Sequence, residues 1–134
     1  MRRRILGLTL MGLLLGAAPV GAGWSLTLDV TMYQGQPYIL LTQMIRQLGL
    51  TYQISPEPRS LLLTYGGREV SITNGPVMVI SEQLIPLSTR PYWQGGDLWV
   101  PLDAVQKIFY VRVNWRVRTQ EATFTTEHEA PPPR

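Results

Sequence analysis

The chain has no cysteine and a single histidine. Without cysteine there is no disulfide, no thiolate metal site, no catalytic thiol and no residue to carry a lipid anchor. The lone His128 is too little for copper or catalytic zinc sites, which draw on two or three imidazoles or on imidazole with carboxylate or thiolate. It stands in Glu127-His128-Glu129 near the C-terminus, where a solvated charge cluster is the simpler reading. A Ser-His-Asp arrangement would need that same histidine. No Gly-x-x-x-x-Gly-Lys and no Gly-x-Gly-x-x-Gly pattern occurs, and Gly66-Gly67 and Gly95-Gly96 read as turns. Four carboxylates come under consideration as an acid pair: Asp97, Asp103, Glu69 and Glu82. Helix starts, turns and solvated strand faces explain all four. The expectation is a chain that is not an enzyme and holds no metal and no cofactor.

Long apolar runs are also scarce. Ile5 to Val20 is one, and it is shorter than the ~20 residues a spanning helix needs and interrupted by Gly7, Gly12 and Gly16. It follows Arg2-Arg3-Arg4 and precedes Val20-Gly21-Ala22. A basic start, an apolar centre and small residues before a cut describe a secretory signal peptide over residues 1–22. The expected location is therefore secreted or periplasmic, with no stable membrane span after cleavage. Removing the three leader arginines leaves nine basic against nine acidic residues. The high pI belongs to targeting, and nucleic acid is not an expected partner.

What the chain does have is a repeated pattern. Leu98 to Val100 reads as a short strand, with a helix opened by Pro101. Asp103 falls near the positive end of that helix, and Leu102, Val105 and Phe109 recur at helical spacing. After Tyr110 the period changes to two, with Val111, Val113 and Trp115 on one side. Tyr38 to Ile54 lies over Trp99 to Trp115 at a shift of 61 positions. In that overlay Leu41 matches Leu102, Thr42 matches Asp103, Met44 matches Val105 and Leu48 matches Phe109. Gly49 supplies the stop of the first helix, whereas Tyr110 takes its place in the second, which predicts a different ending there. Tyr52 and Trp115 fall on matched core positions.

In order, Trp24 to Val30 should be the first strand and Met32 to Pro37 a turn. Strands follow at Leu50–Ile54, Ser60–Tyr65, Arg68–Thr73, Pro76–Ile80, Leu84–Leu87 and Glu121–Thr125. Gly66-Gly67 forms a two-residue hairpin, and Ser88 to Gly96 is irregular. Residues 23–125 make one domain, and residues 126–134 a Pro-rich tail predicted to be disordered. The fold class is α+β: two pseudo-repeated strand-helix-hairpin halves, mostly antiparallel short strands with two short helices.

Several segments carry a resemblance to a known family: Gly96-Asp97-Leu98-Trp99-Val100-Pro101-Leu102, the following Val111-Arg112-Val113-Asn114-Trp115, and Gly66-Gly67-Arg68-Glu69-Val70. Their order and duplicated spacing resemble the copper amine oxidase N-terminal-like domain, also called the stalk domain, over about Leu26 to Thr125. The resemblance implies a non-catalytic accessory domain of exported envelope proteins, and it supplies no catalytic residues.

Binding is more open than catalysis. Six tyrosines and four tryptophans all fall after the leader, and Trp24, Tyr33, Tyr65, Tyr92, Trp93 and Trp99 sit in or beside turns. Arg90, Tyr92, Trp93 and Trp99 are the candidate ligand-binding residues, since amphipathic rings and a guanidinium suit sugars and carboxylates. The same rings could instead plug the ends of a small barrel-like core. The expected partner is cell-wall glycan or peptidoglycan. The alternative is an exported protein for which the domain is an interaction or spacer module.

Overall fold

The computed structural model describes residues 23–126, so the expected leader over residues 1–22 and the expected tail from Glu127 lie outside the described residues. Ser25–Thr126 forms one compact unit of twelve strands and two helices. The chain begins with β1 (Ser25–Asp29), β2 (Thr31–Tyr33), β3 (Gln36–Leu40) and α1 (Leu41–Gln47). A run of five strands follows: β4 (Gln53–Pro56), β5 (Arg59–Tyr65), β6 (Arg68–Ile72), β7 (Val77–Ile80) and β8 (Gln83–Pro86). The last elements are β9 (Tyr92–Gln94), β10 (Asp97–Pro101), α2 (Leu102–Phe109), β11 (Val111–Arg116) and β12 (Glu121–Thr126).

The strands form three antiparallel sheets, in the orders β1-β12-β11, β2-β3-β10-β9 and β4-β5-β6-β7-β8. An α+β class with short antiparallel strands is therefore correct. The expected nine or so strands are too few, and the reason lies in the turns. Gln34 holds positive φ without being glycine, beside Gly35 at φ 79°. That turn makes the β2–β3 hairpin where Met32–Pro37 had been expected to be a simple turn, whereas the Ser81-Glu82 turn joins two strands that were expected. Ser88–Gly96 is likewise not wholly irregular, because Tyr92–Gln94 pairs with β10. The strand expected at Leu50–Ile54 starts later, at Gln53, and runs through Ser55 and Pro56. Thr126 closes β12 instead of opening the tail.

Both helices start directly from a strand, α1 from β3 and α2 from β10. Pro101 precedes the helix, with φ −68° and ψ 161°, so Leu102 is the first helical residue and not Pro101. The apolar spacing buries Leu41, Met44 and Ile45 on α1, and Val105, Ile108 and Phe109 on α2. These faces meet Ile39, Leu98 and Val100, all fully buried on the central strands. At roughly 25 cal/mol per Å² of apolar surface, that burial is the main stabilising contribution.

The pairing registers have a regular relation. Thr31 faces Tyr38 in β2–β3, and Tyr92 faces Trp99 in β9–β10, each residue 61 further on. Gln53 faces Leu62, and Asn114 faces Thr123 at the same shift. Where β3 meets β10, Ile39 faces Val100, again a pair 61 apart.

The two helices end differently, as expected: α1 is capped by Leu48 in right-handed conformation with Gly49 N–H donating to Arg46 and Leu50 N–H to Ile45, whereas α2 is capped by Tyr110 itself, whose N–H donates to Gln106. At the matched positions Gly49 has φ 76°, and Tyr110 has φ 56° and ψ 54°, so tyrosine adopts a left-handed backbone there. That conformation costs a residue with Cβ roughly 1–2 kcal/mol. Arg68 offsets it, because its guanidinium lies 4.2 Å from the Tyr110 ring centre and donates to the carbonyl of Ile108 in the last helical turn. Arg68→Ala should therefore lower stability by about 1–2 kcal/mol. In that background Tyr110→Gly should restore about 1 kcal/mol, as read by urea unfolding.

Candidate functional site

The four-stranded sheet carries the candidate residues. Tyr92 lies opposite Trp99 across β9–β10, so the two rings share a face, and they are near-parallel with centres 6.1 Å apart. Tyr38 on β3 faces Pro101, which puts it on that face too, with its ring edge-on to Tyr92 at 5.2 Å. Tyr33 on β2 then stacks on Tyr92 at 4.1 Å and 28°. β2 and β9 are opposite edges of the sheet. Three inter-strand steps of ~4.8 Å would hold the edges of a flat sheet about 14 Å apart. The sheet therefore curls until rings from its two edges touch, and these aromatics close it.

A depression of about 620 Å³ opens beside this stack, lined by Tyr33, Gln34, Tyr38, Asn74, Arg90 and Tyr92 among others. Tyr38, 3 % exposed, donates its hydroxyl proton to the carbonyl of Arg90 at 2.6 Å and lies 3.0 Å from Thr89 Oγ1. These contacts hold the β8–β9 loop and Arg90 at the rim. Tyr33 remains 37 % exposed and carries the aromatic wall on the open side.

Three of the four sequence-predicted residues, Arg90, Tyr92 and Trp93, border the depression, and Trp99 does not. Tyr92 and Trp99 are in one stack, and Arg90 is at its rim. Trp93 follows Tyr92 on the same strand and borders the depression as well, while strand alternation turns its ring toward the other face. There the Arg59 guanidinium sits 4.3 Å from its ring centre, and Arg59 also bonds the carbonyl of Gly95. Trp93 Nε1 is buried without a hydrogen-bond partner among the described residues. The sequence reading missed Tyr33 and Tyr38 as site residues. Tyr38 was within reach, since it overlays Trp99 at the 61-residue shift; Tyr33 required the curl.

The carboxylates considered for catalysis separate into two kinds. Asp97 accepts the Thr42 hydroxyl at 2.8 Å, with Arg46 at 3.9 Å. Asp103 accepts from the Ser88 amide at 2.9 Å and the Ser88 hydroxyl at 2.7 Å, with Lys107 at 3.6 Å. Asp97 thus ties the start of β10 to α1, and Asp103 ties the β8–β9 loop to α2. Glu69 and Glu82 line a different and larger groove, of about 720 Å³, on the five-stranded sheet. Tyr52, expected in the core, is half-buried in that groove's wall and accepts a hydrogen bond from Arg46 at 3.0 Å. Among the described residues no group of three His, Cys, Asp or Glu side chains could hold a metal. No helix among them is long and apolar enough to cross a membrane.

The family described as copper amine oxidase N-terminal domain matches residues 23–124. No curated protein and no solved structure matches the chain.

Tyr92 ionises above the ordinary phenol value of 10.0, first because burial disfavours the phenolate and then because Tyr33 and Tyr38 would add like charge. The folded chain thus keeps this proton at a pH where the unfolded chain has lost it. Stability should be level with respect to this group below about pH 10 and fall as pH rises toward the folded pKa. Tyr92→Phe should flatten that fall, as measured by chemical unfolding over an alkaline pH series.

Proposed function

The chain belongs to the copper amine oxidase N-terminal domain family, and from that premise we propose an exported, non-catalytic accessory module of the cell envelope that holds glycan or peptidoglycan. In copper amine oxidases this N-terminal domain is non-catalytic. The observation that carries the reading is the depression beside the aromatic stack. A sugar ring needs an apolar face to lie on and fixed donors around its hydroxyls. Tyr33 offers the ring, Gln34 and Asn74 offer amides, and Arg90 offers a donor for a carboxylate. The apolar run behind three arginines supports export through a cleaved leader. Tyr33 and Arg90 are among the more exposed members of the depression's lining, which makes them the first residues to meet a ligand.

The fold is further read as two related halves that exchange their first strands. The shared registers at a shift of 61 support it. So do the outer pairings: β12 takes β1 as its second neighbour, and β5 takes β6. Leu28 faces Ala122, and Ile72 faces Leu61, so β6 stands in the second half where β1 stands in the first. The β7–β8 hairpin is then an insertion without a counterpart.

Residues 23–134 should pellet with purified peptidoglycan sacculi at moderate salt. Tyr33→Ala combined with Arg90→Ala should weaken retention roughly tenfold or more, while Leu84→Ala, on the five-stranded sheet, leaves it unchanged. A protein that stays wholly in the supernatant would instead favour the spacer reading, in which the partner is another exported protein.

A further inference from the structure

The second groove lies on the outer face of the five-stranded sheet. Alternation along β5 turns Leu61 and Leu63 inward, while Leu62 and Thr64 point out. One row of outward positions runs Gln53–Leu62–Ser71–Val79–Leu84 across all five strands. It contains three aliphatic side chains, with Leu62 38 % and Leu84 74 % exposed. Glu69 and Glu82 rim the groove, and Tyr52 forms part of its wall.

The three-stranded sheet serves as an internal comparison. Its corresponding outward row is Asn114–Thr123–Thr27, with Thr27 and Thr123 hydroxyls 2.8 Å apart. The same kind of scaffold there carries a polar, self-satisfied face. An apolar row rimmed by acid is thus a property of one sheet and not a requirement of the fold, and it calls for an aliphatic side chain beside a cation.

The molecule presents that combination elsewhere. The four residues between β11 and β12 are Val117, Arg118, Thr119 and Gln120. Val117 is 65 % exposed, and Arg118 is exposed beside it. The turn is held in shape from within: Gln120 N–H donates to the Arg116 carbonyl at 2.9 Å, and Gln120 Nε2 donates to the Val117 carbonyl at 2.9 Å. A preformed knob loses little entropy on docking.

We propose that the acidic groove of one copy receives the Val117-Arg118 turn of a second copy. Val117 meets the Leu62–Val79 floor, and Arg118 meets Glu69 and Glu82. Groove and knob are different surfaces, so a single such contact leaves one groove and one knob open to further copies. It uses none of the residues of the aromatic depression and does not rest on glycan binding.

Sedimentation velocity of residues 23–134 over a concentration series tests this. The wild type should gain mass with concentration. Glu69→Lys with Glu82→Lys should abolish the gain, and so should Val117→Asp with Arg118→Glu. Each double variant should melt as the wild type does, since all four positions are at the surface. Mixing the two variants should restore association, because the intact groove of one then meets the intact turn of the other. Gln94→Glu with Gln106→Glu, which adds negative charge on other elements, should not abolish the gain. A wild type monomeric at every concentration, self-association that survives both reversals, or a mixture that stays monomeric would each overturn the proposal. So would a monomer whose Tyr52 and Leu62 resonances shift with a chitin oligosaccharide, which would give the groove to a glycan.

Discussion

The pairing of β3 with β10 is the contact on which the rest of this domain depends. Ile39 and Val100 face one another there, both fully buried, and each strand passes without a break into a helix. The direction of both helices is therefore fixed at their first residue by one short antiparallel ladder. No side chain caps either helix start. What holds them is continuity with the ladder at one end and burial of an apolar stripe along the side. Most helical stability in proteins comes from such packing and not from propensity, and at seven and eight residues these helices could not persist alone.

Curling of the central sheet is the second constraint. A four-stranded sheet leaves two edges open to pairing with other chains. Here the edge strands are three residues each, and Tyr33 and Tyr92 bridge them by ring contact. The rings thereby protect the edges while leaving one aromatic surface in contact with water. The proposed binding role would thus draw on rings already placed for a structural one.

The sequence displayed the parts of this fold that repeat with a period. Leu41, Met44 and Ile45 announce a helix face, Val111 and Val113 a strand, and the 61-residue shift aligns them. Edge strands of three residues offer no period to read, and Gln34, Ser81 and Glu82 give no sign that they will adopt positive φ. The same limit applied to the site. Tyr92 and Trp99 stood out as aromatics near turns, but Tyr92 and Trp93 could be assigned to opposite faces only once β9 was known to be a strand. Tyr33 joins Tyr92 through curvature, which is a property of the whole sheet and of no local pattern. Tyr110 shows the converse: a residue poorly suited to its backbone conformation can hold it when a distant side chain, here Arg68, meets both its ring and the helix end.

The pairing of β1 with β12 has a mechanical consequence. Ser25 faces Thr125, and Asp29 faces Glu121, so the two ends of the compact unit leave from the same end of one antiparallel pair. Tension applied through them would load the ladder one hydrogen bond at a time, as a zipper is opened, and not all bonds together as in shear. The outermost strand would peel away at low force while the β3–β10 ladder, deeper along the force path, stayed intact. Under load the unit would lengthen by surrendering its rim first, and re-pairing of a five-residue strand would restore it when the load fell.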